Sequence, residues 1–380
     1  ICVAKGDDKD NLVFRNATAV LKIKTAADVV GVDVTAANSI AGPVTASFEG
    51  TTLSLTTSFL DKKYVSAVGT SAPSGNVFYL ATAPVTTGSA TVNCYKTDKK
   101  GTAAKASKAL AKNTIYSMDL SSMTIDNTDL TGQHGILNGH EYVIIKAKYD
   151  GTDDSYLKWA TMNVGATTVA TDYQTCYGDL YWWGSVETIY TNRPWTSATE
   201  GSIDNKRKEG INGYGYSWSN YCKNSSFVEW NPAPYDATNI LKSEYDVATK
   251  NWGTGWRMPT SAEFLALYQA CGKTGTYIQS TTAGTKDSTT KDIYWCSSYN
   301  GVAGLLFITI DNGPHLFFPA AGNGEGTRVL EAGSYGAYWS SSHSTKDTYQ
   351  AYSLSFKSGN VSAQNYRNRY YGFSVRPVSN

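Results

Sequence analysis

Residues 195–235 contain the strongest candidate for a ligand-binding site in the sequence, because aromatic side chains alternate there with neutral amides. Sugars present apolar C–H faces and rings of hydroxyl groups, so a site for them needs aromatic platforms and neutral hydrogen-bonding groups. The amides are Asn212, Asn220, Asn224 and Asn231. The candidate ligand-binding residues are Trp195, Tyr214, Tyr216, Trp218, Tyr221, Trp230 and Tyr235. A long loop with its own small aromatic core has the same composition, because Trp is usually mostly buried, and both interpretations stay open.

Catalysis needs a nucleophile with a base, a metal cluster, or paired carboxylates in a cleft, and the sequence marks none of these. His343 follows three serines, but neighbours on a strand point to opposite faces, so we expect a histidine on a surface hairpin. The Gly-Asn-Gly-Glu-Gly run at 322–326 lacks the Lys-Ser/Thr of a phosphate loop and predicts a turn. The acidic run at 7–10 lacks the spacing of a calcium loop. The sequence therefore predicts no enzyme, no catalytic residue, no cofactor and no metal site.

The charge balance argues against nucleic acid and anionic membranes as partners. Lys and Arg total 33 against 32 for Asp and Glu, which gives a net charge of +1 and no strong overall field. The longest apolar run, residues 305–310, is too short to cross a bilayer, so no transmembrane segment is predicted. The 6 cysteines form no Cys-x-x-Cys pair, which argues against zinc. Disulfides and buried free thiols both remain open.

The first third of the chain has the pattern of antiparallel strands. From Asn11 to Met123 apolar residues recur with period two, as in Leu21 with Ile23 and Val92 with Cys94, and Gly-, Pro- and Asn-rich turns separate the runs. This spacing predicts a β-sandwich domain over residues 1–123. Residues 124–140 lose the alternation and are rich in Gly and Asn, which predicts a linker.

The remaining residues, 141–380, combine strand patterns with a well-marked helix. Thr260 and Glu263 have the spacing of a capping box, and apolar residues continue on one helical face to Cys271. We expect a short helix over 261–271. The Asp-Asn-Gly at 311–313 and the Ser-Gly-Asn at 358–360 predict two hairpin turns.

Four stretches of the N-terminal domain resemble fimbrillin-like pilins of Bacteroides-type bacteria, which build type V pili. They are the strand patterns at 11–24, 77–84 and 113–120 and the short Ile-Ala-Gly at 40–42. The resemblance implies a transthyretin-like sandwich, other pilin subunits as partners, and export across both membranes to a fimbrium at the cell surface. Those pilins usually carry two sandwich domains. Because only one is visible here and the chain starts at Ile1 without a methionine, we expect that an N-terminal part has been removed.

An ordered set of motifs in the C-terminal domain resembles the Fibrobacter succinogenes major paralogous domain, a member of the C-type-lectin-like fold. The clearest are Trp-Arg-Met-Pro-Thr at 256–260, Gly-Ala-Tyr-Trp-Ser-Ser-Ser at 336–342 and Tyr-Gly-Phe-Ser-Val-Arg-Pro at 371–377. The resemblance implies an α+β domain with short helices around 247–250 and 261–271, antiparallel strands and long loops. The triplets that calcium-dependent lectins use for sugars are absent, so calcium-mediated sugar binding is not implied.

Two sets of residues within these motifs are expected to be structural. Arg257 and Arg376 stand in otherwise apolar motifs, so carbonyl or carboxylate groups in the core should satisfy them. Most of the remaining tryptophans are expected in the core, namely Trp182, Trp183, Trp252, Trp256, Trp295 and Trp339.

The resemblances lead to the hypothesis of a cell-surface adhesin, with a lectin-like module that binds glycan or protein ligands of a host or of other bacteria. A pilus-tip position is favoured, because the chain ends soon after Arg376 and leaves no strand to donate to a next subunit. One alternative is an enzyme of the formylglycine-generating type, or a hydrolase, on the same fold; nothing marks Cys271 and Cys296 as its reactive pair. The other alternative is a purely structural surface protein.

Overall fold

In the computed structural model the chain forms two compact units. The N-terminal unit is Ile1–Ile136, and the C-terminal unit is Leu137–Thr309 together with His315–Asn380. The division falls inside the predicted linker 124–140. The structure describes residues 2–5, 13–16, 18–38, 40, 45–49, 52–56, 64–68, 71–167, 176–186, 188, 235–271, 277–278, 293–299, 301–308, 315–325, 328–347 and 349–380. Both units are built mainly from strands in antiparallel sheets.

Strands of the N-terminal unit follow one another closely along the chain. They are β1 (Cys2–Lys5), β2 (Val13–Asn16), β3 (Ala19–Thr25), β4 (Gly31–Ala36), β5 (Thr45–Glu49), β6 (Thr52–Thr56), β7 (Tyr64–Val68), β8 (Val77–Thr82), β9 (Ala90–Tyr95), β10 (Lys100–Lys105) and β11 (Thr114–Leu120). The next strand, β12 (His134–Leu137), lies at the division between the units.

Two sheets of the N-terminal unit share one hydrophobic core. Their strand orders are β10-β9-β4-β7 and β11-β3-β8, and every neighbouring pair is antiparallel except β3 with β11. Alternate residues point inward, such as Leu21 and Ile23 from one sheet and Val92 and Cys94 from the other, and these four are buried together. The period-two prediction of antiparallel strands is confirmed here. Two further antiparallel pairs are β1 with β2 and β5 with β6.

The predicted linker has structure of its own. The backbone of Asn127 exchanges two hydrogen bonds with Lys100, and Ile125 packs against the N-terminal core. His134 is buried in β12.

Elements of the C-terminal unit are more varied. The helices are a 3-10 turn (Ser243–Tyr245), α1 (Val247–Trp252) and α2 (Ser261–Ala270). The strands are β13 (His140–Ala147), β14 (Ser155–Ala160), β15 (Tyr277–Ile278), β16 (Ile293–Tyr299), β17 (Val302–Ile308), β18 (His315–Pro319), β19 (Asn323–Glu325), β20 (Arg328–Leu330), β21 (Tyr335–His343), β22 (Gln350–Lys357), β23 (Asn360–Asn368) and β24 (Val378–Ser379).

The sheets of this unit are small and surround an aromatic core. Within the unit their orders are β13-β14-β24, β15-β23-β22-β21, β16-β17-β18 and β19-β20. Helix α2 contributes Phe264 to this core, where its ring lies 5.6 Å from Trp159 and 6.4 Å from Phe318 between centroids. Tyr338 of β21 meets Phe318 edge-on at 5.0 Å. Aromatic packing therefore connects the helix with three of the sheets.

Local predictions for this unit hold where the structure describes the residues. Both helices form, and Thr260 and Glu263 make the complete capping box at the start of α2. The turn at 358–359 joins β22 to β23, and Gly359 supplies a positive φ of 81° there. Strands β17 and β18 pair as expected, while their predicted turn at 311–313 lies outside the described residues.

Candidate functional site

Only one of the seven candidate ligand-binding residues is placed by the structure. Tyr235 begins the described segment 235–271, whereas Trp195, Tyr214, Tyr216, Trp218, Tyr221 and Trp230 lie outside the described residues. Binding by these aromatic residues therefore stays a prediction.

Tyr235 packs on a buried aromatic cluster that also contains His343. The two rings stack with centroids 4.1 Å apart and planes 17° apart. Trp183 lies 5.6 Å from His343 and 6.2 Å from Tyr235, and the guanidinium of Arg369 lies 5.7 Å over the Trp183 ring. Tyr235 itself stays partly exposed, at the surface of this cluster.

The expectation of a surface histidine at position 343 is wrong. His343 is only 4% exposed, because its ring is covered by Tyr235 and lies beside Trp183. Sequence neighbours gave no sign of this, since both aromatic partners come from distant parts of the chain. His343 is thus part of the support beneath Tyr235.

Backbone hydrogen bonds fix the segment after Tyr235 against the end of β21. The N–H of His343 donates to the carbonyl of Asn239 (2.8 Å), and the N–H of Leu241 donates to the carbonyl of Ser341 (2.8 Å). The indole N–H of Trp183 donates to the carbonyl of Ser340 at 2.7 Å. The position of Tyr235 is consequently well defined.

The Trp-Arg-Met-Pro-Thr motif at 256–260 is anchored by two carboxylates. Asp246 caps α1 by accepting from the N–H of Ala248 and Thr249, and its second oxygen accepts from the N–H of Met258 (2.8 Å). Burial raises the pKa of the Asp246 carboxyl to about 6, even though these three N–H groups oppose the rise. The carboxylate of Glu263 accepts hydrogen bonds from both terminal guanidinium nitrogens of Arg257, at 2.8 and 2.6 Å. The motif is a scaffold for the surrounding chain.

Arg376 is buried and donates hydrogen bonds to three acceptors in two separate segments. Its guanidinium donates to the carbonyls of Ala160 (3.1 Å) and Phe317 (2.9 Å) and to Oδ1 of Asn163 (2.9 Å). Burial lowers the pKa of Arg376 to about 10, so the group stays charged at neutral pH. The predicted role of this arginine is confirmed.

The tryptophans predicted to be structural are all buried. Their exposed fractions lie between 0 and 7%, for Trp182, Trp183, Trp252, Trp256, Trp295 and Trp339. Trp183 and Trp339 also donate their indole N–H groups to backbone carbonyls, of Ser340 and Tyr181 respectively.

An apolar groove opens between the edges of the two sheets of the N-terminal unit. It has a volume of about 330 Å³. It lies beside β10 and β11, which are edge strands of their sheets among the described strands. Its apolar lining comes from both sheets and from the connection between β10 and β11, as Leu21, Val34, Ala90, Val92, Leu110 and Met118. Strand alternation predicted the inward direction of several of these residues, but not the gap between the sheets.

The inward face of β11 is incompletely covered beside this groove. Tyr116 and Met118 point to the groove side and remain partly exposed, whereas Ile115, on the opposite face, is 62% exposed. Lys105 and Lys108 also border the groove. A partner that filled it would cover an apolar surface that the described part of the unit leaves open.

The described residues give no metal centre and no membrane-spanning helix. Among them, no group of three or more His, Cys, Asp or Glu side chains is placed to hold a metal ion. No described helix is both long and apolar enough to cross a bilayer. Four cysteines of the described segments are not joined in disulfides, namely Cys94, Cys176, Cys271 and Cys296.

Comparison with known proteins gives no relative: no family model, curated protein or solved structure matches this chain. The likeness to fimbrillin-like pilins and to the C-type-lectin-like fold therefore rests on the sequence motifs alone.

Proposed function

We propose that this chain is a cell-surface adhesin of a pilus, in which the N-terminal unit joins the fibre and the C-terminal unit binds a glycan or protein ligand. The observation that carries the fibre half is the open apolar groove between β10 and β11. The pilin-like motifs of the N-terminal unit and the lectin-like motifs of the C-terminal unit supply the two functional halves. A fimbrial location at the cell surface follows from the same assignment.

An extended segment from another pilin subunit is the partner that best fits this groove. A strand added at a sheet edge gains main-chain hydrogen bonds, and its alternate side chains enter the apolar gap. Among the described strands, β11 has only β3 beside it, and the outer edge of β10 is paired only at Lys100, by Asn127. Backbone groups of β11 and of β10 beyond Lys100 therefore remain to pair with a new strand. Burial of apolar side chains against Leu21, Val92 and Met118 would stabilise the complex.

A tip position is part of the proposal. Strand β24 (Val378–Ser379) is already paired with β14, and the backbone of Val378 exchanges two hydrogen bonds with Arg257. These residues are committed to the C-terminal unit and are not free to join a neighbour. At the tip, this subunit would receive a strand without donating one, and the fibre would end there.

Charge placed in the groove tests the fibre half. In Bacteroides-type cells that display the full chain, we expect Met118→Glu to lower the amount recovered in sheared fibres at least about tenfold, because an unpaired carboxylate would be buried against apolar groups. Immunoblotting of the fibre fraction measures this. The matched control is Ile115→Glu, on the opposite and exposed face of the same strand, which should leave recovery unchanged.

Two results would contradict the proposal. If Met118→Glu enters fibres as well as the wild type while circular dichroism shows both to be folded, the groove does not receive a strand. If the purified chain polymerises head to tail, it donates as well as receives, and the tip position is wrong. The enzyme alternative gains no supporting observation among the described residues, and the structural alternative predicts that no ligand binds.

A further inference from the structure

A second concave site, after the groove of the N-terminal unit, lies on the C-terminal unit. Its lining includes neither Tyr235 nor the segment that follows it. It is a cleft of about 570 Å³, formed by the β22–β23 hairpin, the β19–β20 pair and the chain at Tyr371. Its volume is within the usual range for small-molecule sites, roughly 300–1,000 Å³. All of its lining residues are described and belong to this one unit.

One wall of the cleft is a tyrosine in a fixed orientation. Tyr371 stacks nearly parallel on Phe373, with centroids 5.9 Å apart and planes 13° apart. Phe373 is buried and packs in turn on Trp339 at 4.3 Å, while Tyr370 stacks on Tyr371 at 4.8 Å. Tyr371 remains partly exposed, so a supported aromatic surface lines the cleft.

The cleft is also lined by a row of polar side chains on β23. Asn360, Ser362 and Gln364 alternate along the strand with Val361 and Ala363, which are buried in the core. The period of two therefore turns one amide, one hydroxyl and a second amide toward the cleft.

The polar groups at the edge of this row are held by one another. Nδ2 of Asn365 donates to Oγ of Ser355 at 2.7 Å, and Oδ1 of Asn365 accepts from Arg367 at 3.3 Å. These bonds limit the rearrangement that binding would need.

Charges in the cleft balance. Glu325 and Glu331 line it together with Lys357 and Arg367, two carboxylates and two cations. A phosphate or an acidic sugar would have to approach both carboxylates, whereas a neutral polyhydroxyl ligand would find donors and acceptors of both kinds. The balance favours an uncharged ligand.

We propose that this cleft is a binding site for a neutral saccharide. The apolar C–H face of one sugar ring lies on Tyr371, and the ring hydroxyls bond to the amides of Asn360 and Gln364. The inference deepens the ligand-binding half of the proposed function by naming a site and a ligand class. It does not depend on the fibre half.

Affinity electrophoresis of the full chain tests the site. Native gels contain a soluble neutral polysaccharide, namely a glucan, a mannan or a galactan, or the acidic polygalacturonate. We expect retardation of the wild type by at least one neutral polymer. Tyr371→Ala should weaken that binding about tenfold or more through loss of stacking, and Tyr371→Phe should retain most of it.

Gln364→Ala keeps the test decisive if Tyr371→Ala is poorly folded. The side-chain amide of Gln364 makes a long hydrogen bond of 3.5 Å to the carbonyl of Ser261, so its loss should disturb the fold little. We expect it to weaken binding several-fold. The matched control is Tyr156→Ala, a tyrosine of the same unit that is 37% exposed and does not line the cleft. Its retardation should equal that of the wild type.

Three outcomes would overturn the inference. The first is no retardation in any neutral gel, and the second is retardation by polygalacturonate alone. The third is that Gln364→Ala and a folded Tyr371→Ala are retarded as much as the wild type and Tyr371→Phe. If Trp218→Ala abolishes retardation while the cleft variants keep it, the adhesin binds through residues 195–235 and the cleft is not the site. The fibre assay is read independently of all these results.

Discussion

The two units bury ionisable groups in different ways, although both are made mainly from antiparallel strands. In the N-terminal unit, one carboxylate is buried among the described residues, Asp33 on β4. It accepts hydrogen bonds from the hydroxyl of Tyr95 and from Nδ2 of Asn93, both on the adjacent strand β9. This polar group is thus satisfied within one sheet, between neighbouring strands.

In the C-terminal unit, buried ionic groups pair with backbone groups rather than with side chains of a neighbouring strand. Arg376 satisfies carbonyls of Ala160 and Phe317, and Asp246 satisfies the N–H of Met258. Ala160 ends β14, Met258 lies in the irregular chain between the two helices, and Phe317 lies in β18, which has a neighbour on one side only among the described strands. A buried backbone group without a hydrogen bond lowers the stability of the fold. Charged side chains therefore supply the hydrogen bonds that strand pairing does not.

The difference suggests that regular pairing supports the N-terminal unit, whereas buried charged side chains support the C-terminal one. Fluorescence separates the two in one sample, because all 10 tryptophans follow residue 137. Tryptophan emission therefore reports unfolding of the C-terminal unit alone, and far-UV circular dichroism reports both units.

The largest effect is expected from Arg376→Met. The substitution leaves two backbone carbonyls and the Asn163 amide oxygen without their donors in a closed site, at about 1–3 kcal/mol each. We expect the free energy of unfolding of the C-terminal unit to fall by about 4 kcal/mol, measured by urea titration with tryptophan fluorescence. The control Lys148→Met removes an exposed cation and should change it by less than about 0.5 kcal/mol. Equal stability of both variants would remove the contrast between the units.

A smaller effect at pH 7, about 2 kcal/mol, is expected from Asp246→Ala. The variant loses the cap of α1 and leaves the buried N–H of Met258 unpaired. The pH dependence has a definite sign. The folded pKa of about 6 exceeds the unfolded value of 3.8, so the folded state binds the proton more tightly and wild-type stability rises as pH falls between these values.

The difference in unfolding free energy between the wild type and Asp246→Ala should therefore widen as the pH is lowered from 7 to 4. Urea titrations of both proteins across this range measure it, and subtraction cancels the carboxylates that the two share. A difference that narrows over the same range would mean that the carboxylate is not buried as described.

Sequence patterns predicted the N-terminal core better than the environment of the C-terminal residues. Leu21 and Ile23 were predictable as inward-facing because strand alternation depends only on neighbours in the chain. The capping box of Thr260 and Glu263 was predictable for the same reason, since both of its hydrogen bonds are local. His343 was not, because Tyr235 and Trp183 cover it from distant parts of the chain.

The cleft could have been recognised only in part. The alternation of Asn360, Ser362 and Gln364 with apolar residues marks a strand with one polar face. What the sequence does not indicate is that Tyr371 and Glu325 meet that face, since this depends on how β19 and the chain after β23 pack. The groove beside β11 is similar, because its walls come from two sheets.

The smallest effect is expected in the N-terminal unit, from Tyr95→Phe. This change removes one donor to Asp33 while Asn93 still bonds to the carboxylate, so we expect a loss of about 1.5 kcal/mol. Thermal melting followed by far-UV circular dichroism measures this loss of stability. Unchanged tryptophan emission shows that the C-terminal unit is unaffected. Tyr79→Phe, at a tyrosine that is 59% exposed, is the control. A loss as large as that of Arg376→Met would show that this unit, too, depends on a buried charge, because strand pairing alone would then not hold β4 against β9.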